Sequence, residues 1–427
     1  MNYNRIFNSI IDQVQTLLES QEFLDAHRFP NHFVRKRLLS MYQVVIYILY
    51  TSKQKMETNI CRLRDLGDPL SFPKITKQAL SKARQGITPS LFSDIFDLTV
   101  DTFYHGNPIG KLWKGTFRVF GIDGSKFELP RTKSNFGKFG VMFSKKNEGR
   151  RWSMALVSII YDVSNDFICH GLIRPYLASE RAAAISHCEA LAGTGVFSRE
   201  SVLIFDRGYY SEDMFRYFSE IGYKCVMRLK EGFNISKNCT GDCVQILEGD
   251  SKKGTADCRI RVIAVPLPGG TTEYLATNIF DENLTQEDFK ELYFLRWPVE
   301  LKYAELKNRL LMEEFSGATS TSVEQEFYAN LFFANLASLV KSEADPLIEK
   351  RADPDNKYRY QANRSFIYGR LKGLLAPVLC RTFKRTKLDE IFEDACGAKS
   401  QILPGRSTPR KKVKRERSHH NNRKTAV

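Results

Sequence analysis

A chain of 427 residues, 42% of them hydrophobic, is long enough for one large core with smaller domains attached. A formal charge of +15 points to a polyanionic partner, nucleic acid above all. The nine scattered cysteines, with Cys239 and Cys243 lacking a second pair at zinc-ribbon spacing, argue against a disulfide framework or a zinc site. No apolar run approaches the roughly 18–20 residues of a membrane span, and the first residues carry no signal-peptide core, so no membrane partner is expected. The expectation is a soluble, cytoplasmic protein.

Residues 1–112 read as a helical domain. Ile6, Ile10, Ile11, Val14, Leu17 and Leu18 recur at helical spacing, and 38–50 is a second apolar helix. Thr76 is placed to cap a basic helix over 75–86 that carries Lys77, Lys82 and Arg84, which reads as a DNA-recognition helix. Residues 91–104 form one more helix after Pro89.

At 116 the pattern turns to strands. Residues 116–123 alternate and stop at Gly124-Ser125, and 131–150 is polar, Gly-rich and basic, a mobile loop. Strands follow at 154–162 and 167–173, a helix at 180–192, a strand at 201–206, a helix at 213–221 and a strand at 224–229. The order β-β-β-α-β-α-β predicts an α/β, ribonuclease H-like core whose first part spans 113–229. Residues 230–282 form a β-rich insertion with a hairpin around 266–270. The second part of the core, 283–345, contains a helix capped by Thr285, a kink or restart at Pro298, and an apolar helix over 323–344. Residues 346–402 read as a helical C-terminal region. The tail, 403–427, is basic: 406–424 holds nine Lys or Arg and one Glu, suited to phosphate contact.

Two acids stand at strand ends: Asp123 closes the first strand and Asp206 the fourth. In the expected sheet these strands are neighbours, so the two carboxylates can share metal ions. A third acid, Glu300, lies in a segment with Tyr293, Arg296 and Lys307. On one continuous helix those four would fall within about 60° of one another. A carboxylate flanked by cations suits a divalent ion working beside a phosphate. Three carboxylates suit a pair of Mg²⁺ (or Mn²⁺) ions, one activating the attacking oxygen and one stabilising the leaving oxygen. Gly124 and Gly208, just after the aspartates, leave room for close approach.

With Asp123-Gly-Ser, Asp206-Arg-Gly-Tyr and the gapless spacing Tyr293-x2-Arg296-x3-Glu300-x6-Lys307, the chain resembles the insertion-sequence DDE transposases that bear the Tyr-Arg-Glu-Lys signature, the insertion-sequence-four group. Trp297 after the Arg fits that pattern too. The resemblance implies that Asp123, Asp206 and Glu300 are the catalytic metal ligands. It implies that Arg296 and Lys307 grip phosphates at the transposon terminus and that Tyr293 contacts the terminal DNA. It also implies a homodimer that synapses two transposon ends before joining them to target DNA, with localisation at the bacterial nucleoid. An aromatic residue of the insertion, Tyr274 or Phe280, would stack on a flipped base. Two other readings of the same residues are a catalytically silent DNA-binding protein derived from such an element and a ribonuclease H-like nuclease.

Overall fold

The computed structural model describes residues 2–403 apart from 36, 51–52, 108–109, 144–150, 231, 238, 253, 268–269 and 385. The basic tail from 404 onward therefore lies outside the described residues, as does part of the loop expected at 131–150. Helices α1 (Tyr3–Glu19), α2 (Gln21–Ala26), α3 (Met41–Leu49), α4 (Met56–Asp65), α5 (Lys77–Arg84) and α6 (Ser90–Gly106) come first. Then follow β1 (Arg118–Leu129), α7 (Lys133–Phe139), β2 (Val141–Phe143), β3 (Arg151–Asp162), β4 (Phe167–Pro175), α8 (Glu180–Leu191), β5 (Ser201–Phe205), α9 (Glu212–Glu220) and β6 (Lys224–Arg228). The middle of the chain adds α10 (Asn234–Lys237), β7 (Asp242–Leu247), β8 (Cys258–Pro266), β9 (Thr272–Thr277), α11 (Gln286–Phe294) and α12 (Trp297–Asn308). It ends with α13 (Ser320–Lys350), β10 (Arg359–Ala362), α14 (Arg364–Leu379), α15 (Thr386–Gly397) and β11 (Lys399–Ile402).

The chain divides into two compact units whose boundaries fall at the end of α6 and within β1, β3 and α12. One comprises Met1–Gly106, Glu128–Met154 and Leu306–Val427. Its hub is α13, thirty-one residues long, against which α1, α3, α6, α14 and α15 pack. Helix α1 starts where the Asn2 side chain accepts the Arg5 N–H at 2.8 Å, and it buries Ile6, Phe7, Ile10, Ile11, Val14 and Leu18 on one face. Helix α3 opens with a reciprocal capping box between Ser40 and Gln43. In α5 the Thr76 side chain caps the Ala79 N–H, as its sequence suggests. Arg84, however, is fully buried, donating to Gln325, Ser316 and Glu326, so it holds the helical unit together and is not presented to solvent. Exposed cations on and beside α4 and α5 are Arg62, Arg64, Lys74, Lys77 and Lys82, with Lys77 paired to Glu57 at 2.9 Å.

Where a loop was expected from 131, the structure has α7, capped by Thr132 onto the Asn135 N–H, and then the short strand β2, paired antiparallel to β3. The C-terminal part is likewise not all helix: β10 and β11 pair antiparallel, Arg359 opposite Ile402.

The second unit, Asn107–Phe127 with Ala155–Glu305, carries most of a nine-stranded sheet. The order is β2-β3-β1-β5-β6-β9-β8-β7, with β4 also pairing β3. Strands β3 and β4 are antiparallel, whereas β1, β5 and β6 run parallel to one another. The parallel strands are apolar on both faces, as burial between covering layers requires: Ser201–Phe205 is buried throughout. Strands β7, β8 and β9, expected as a separate insertion, extend the same sheet, because β9 lies antiparallel to β6. Val119, Val202, Ile204, Val226, Ile263 and Leu275 join Phe289, Leu292 and Tyr293 of α11 in one apolar core.

Helix α12 lies tight against β1. A Cβ on Gly121 would stand 2.2 Å from Val299 Cγ2, so only glycine lets the helix come this close. The buried Lys302 ammonium fixes the helix further, at 2.9 Å from Asp166 and 3.3 Å from Glu305.

Candidate active site

The sheet register sets the two aspartates. The parallel β1–β5 ladder ends with Gly121 opposite Ile204. Asp123 and Asp206 are each two residues further on, so they occupy equivalent register positions on adjacent parallel strands; Asp206 directly follows β5, whereas Asp123 does not close its strand as expected, because β1 runs on through Gly124 and Ser125 to Leu129. Their carboxylates are held alike. Asp123 Oδ1 accepts the Gly124 N–H at 2.8 Å, and Asp206 Oδ1 accepts the Gly208 N–H at 2.7 Å. The second oxygen of each carries no hydrogen bond among the described residues. Burial, followed by the charge of Asp206, pushes the Asp123 carboxyl up to about 7 against the stabilising Gly124 N–H.

Sequence reasoning missed a further acid at this place. Glu180 opens α8 directly beside Asp123: a Cβ on Gly124 would meet its Cγ at 2.9 Å and its Cδ at 3.0 Å. Burial raises the Glu180 carboxyl, Lys126 lowers it and Asp206 raises it. The next residue, Arg181, donates to the carbonyls of Gly208 and Tyr210 at 3.2 and 2.8 Å, which ties the start of α8 to the Asp206 loop. In the sequence Glu180 looks like any acid in a first helical turn. The fully buried Tyr209 hydroxyl has no hydrogen-bond partner among the described residues, and its ionisation is suppressed by burial and by Asp123, Glu180 and Asp206 nearby.

The 293–307 segment is not one helix. Tyr293 belongs to α11, Arg296 falls in the break, and Glu300 and Lys307 belong to α12. The continuous single face expected from the spacing is therefore absent. Pro298 in the first turn of α12 fits a restart, because it has no N–H to donate. Tyr293 is buried in the core behind the break, and burial raises its hydroxyl to about 12. Arg296 links the two helices: its guanidinium lies 5.7 Å from the Tyr293 ring centre and donates to Glu300 Oε1 at 2.7 Å. Lys307, half-buried in the last turn of α12, belongs to the other compact unit.

The structure thus brings Asp123 and Asp206 together beside Glu180, with Arg296 in electrostatic reach of Asp123. Glu300 is held by Arg296, and among the described residues no set of three His, Cys, Asp or Glu is gathered closely enough to hold a metal ion. What the site offers a hard divalent cation is oxygen chemistry: two partly buried carboxylates with a spare oxygen each, one protonated more readily than usual, and an unmatched hydroxyl nearby. These residues fit such an ion. All nine cysteines are free thiols, and no described helix is long and apolar enough to cross a membrane.

The family described as "Transposase DDE domain" matches residues 114–336, more than half of the chain, a span that holds the nine-stranded sheet and the four acids above. The chain belongs to this DDE transposase family. Among curated proteins no sequence matches it. Among solved structures, it is similar to a piggyBac transposase synaptic complex with hairpin DNA, with a TM-score of 0.46 and 11% identity, over 95% of this chain and 87% of that one. Asp123, Asp206 and Glu300 lie inside the matched span, as do Tyr274 and Phe280, in β9 and just after it.

Proposed function

We propose that this chain is the transposase of an insertion sequence of the Tyr-Arg-Glu-Lys group, which binds the terminal inverted repeats of its own element, cuts DNA there and joins the freed 3′-OH to target DNA. The observation that carries the reading is the placement of Asp123 and Asp206, two residues beyond the Gly121–Ile204 pair on neighbouring parallel strands, inside the matched transposase domain. The strand order β4-β3-β1-β5-β6, an antiparallel meander followed by parallel crossovers, supports a ribonuclease H-like core.

Asp123 and Asp206 would hold divalent metal, Mg²⁺ or Mn²⁺, with Glu300 completing the set. When bound, two such ions activate an attacking oxygen and neutralise a leaving one. The protein's own residues supply the rest. Burial around Asp123 reduces the solvation of its carboxylate, and the glycine N–H groups orient both carboxylates. Arg296, within electrostatic reach of Asp123, would meet a scissile-strand phosphate, and a phosphate there would compete with Glu300 for the guanidinium. Lys307 would grip a second phosphate, and Tyr293 would act from behind Arg296 in contact with the terminal DNA. The exposed cations of α4 and α5 are candidates for holding the repeat, within a helical DNA-binding domain at 1–112, and the tail beyond 403 for further phosphate contact. The protein would act as a homodimer across two ends, in the cytoplasm at the nucleoid.

The test is incubation of purified protein and Mg²⁺ or Mn²⁺ with linear DNA carrying the element's two ends. End-specific nicking followed by strand transfer is the expected result. Binding without cutting would identify a silent DNA-binding derivative, and cutting that ignores the end sequence would identify a nuclease; either overturns the proposal.

A further inference from the structure

Tyr303, one turn beyond Glu300 in α12, is 5% exposed. Its hydroxyl is 2.7 Å from the Asp123 carbonyl of β1, 3.0 Å from the Ile159 nitrogen of β3 and 3.1 Å from the Val157 carbonyl. A phenol has one proton to donate and lone pairs to accept with. The Ile159 N–H donates into the oxygen, and the single O–H proton goes to the nearer carbonyl, that of Asp123. A side chain from the Glu300 helix thus joins β1 to β3 at the residue that carries the first acid.

The same carbonyl takes a second hydrogen bond, and proton counting fixes its direction. Ser158 Oγ lies 3.2 Å from Asp123 O and donates to it. His187 Nε2, 3.0 Å from Ser158 Oγ, must then be the donor to that oxygen. A neutral imidazole has one N–H, so His187 Nδ1 accepts, and His170 Nδ1 at 2.8 Å donates to it. Burial keeps both rings neutral, as this requires. The buried chain His170, His187, Ser158 runs donor to acceptor and ends on the main chain of Asp123.

We infer that Tyr303 is a positioning residue of the catalytic centre: its hydroxyl, with Ser158 beside it, sets where the Asp123 main chain stands relative to the helix that bears Glu300. The inference rests on the reading of Asp123 and Glu300 as partners in one site. It assigns the hydroxyl a task that the aromatic ring, packed near Phe127 at 6.3 Å between ring centres, does not perform. Removing the oxygen alone would leave the ring packed, the Asp123 carbonyl held by Ser158 without its bond from the α12 side chain, and the Ile159 N–H to find a new acceptor.

The experiment compares Tyr303→Phe, Ser158→Ala, Asp123→Asn and, as a control, Tyr161→Phe, which removes a hydroxyl bonded to Asp166 in the same sheet without touching Asp123. Three quantities are read on each full-length variant: Mn²⁺ affinity by electron paramagnetic resonance without DNA, end-DNA affinity, and the single-turnover cutting rate. Tyr303→Phe is expected to lose about ten-fold in Mn²⁺ affinity and in cutting rate, with end binding unchanged, as for loss of a group that orients a ligand. Tyr161→Phe is expected to match the wild type in all three. Wild-type Mn²⁺ affinity and cutting in Tyr303→Phe, with Asp123→Asn inactive, would overturn this inference alone. Normal cutting by Asp123→Asn would instead overturn the active-site reading beneath it. If Tyr303→Phe fails to fold, Ser158→Ala decides: Mn²⁺ affinity lowered by about three-fold or more supports the inference, and an unchanged affinity overturns it.

Discussion

The two aspartates and the 293–307 segment make an instructive contrast. Asp123 and Asp206 stand on strands whose places are set by long buried apolar runs and a parallel register, and each carboxylate rests on the N–H of a nearby glycine. Tyr293 and Glu300 stand on either side of a helix break that Arg296 bridges, through its contact with the Tyr293 ring and its ion pair with Glu300. One half of the proposed site is built into the sheet. The other half is a joint between two helices, where the third acid is held by the cation next to it. The difference separates what backbone pairing fixes from what side-chain partners and ligands can still rearrange.

The sharpest way to break this contrast is to remove one acid from each half. Asp206→Asn and Glu300→Gln are both expected to lower end cutting by about a thousand-fold or more while end binding persists. Near-normal cutting by Glu300→Gln, measured on labelled end DNA, would leave the sheet half as the whole site.

Next in size is the contact that docks the helix on the strand. Gly121→Ala puts a methyl group into the space of Val299, and a loss of about 2 kcal/mol or more is expected in urea unfolding. An unchanged midpoint would mean that α12 is free to shift away from β1.

No pattern in the sequence marks this glycine, because the need for it arises from a helix far along the chain. The same holds for Tyr303 and Glu180, whose neighbours are set by tertiary packing. By contrast, β3, β4, β5 and β6 were legible to within a few residues, since continuous apolar runs bounded by turns have few other uses. Asp206 accordingly stands just after β5, whereas β1, expected to stop at Gly124, runs on past Asp123 to Leu129. Helix α7 and strands β2, β10 and β11 were not legible: each is short and is held by a cap or by a partner strand. The one-face geometry of 293–307 needed a continuous helix, and the kink or restart expected at Pro298 is met by a break at Leu295 and Arg296, just before α12.

A smaller effect follows from the strained acid. The Asp123 carboxyl is raised from 3.8 to about 7, so the folded state binds a proton that the unfolded state has released in that window. Its contribution is therefore most favourable below pH 3.8 and is lost as pH rises through about 7. Without metal, Asp123→Asn is expected to be more stable than wild type at pH 8, by on the order of 2 kcal/mol, and nearly equal to it at acid pH. Thermal melts across pH check this, and a pH-independent difference would remove the buried-charge account.

The smallest expected change concerns Lys307 at the far end of α12. Lys307→Ala should weaken end binding and reduce the slope of log affinity against log salt by about 1, with cutting of bound ends little changed. An unaltered salt slope in a filter or anisotropy titration would take Lys307 out of the DNA contact.

The most direct measurement of the central claim is metal-specific rescue of the acid that the register pairs with Asp123. Asp206→Cys replaces an oxygen donor with a thiolate, which favours softer ions over Mg²⁺. With end DNA, the variant is expected to be inactive in Mg²⁺ and to recover cutting in Mn²⁺, while the wild type cuts in both. Equal activity of the variant in the two ions, or wild-type cutting that persists in a chelator, would contradict the assignment of Asp206 and Asp123 as the carboxylates of a metal-dependent transposase site.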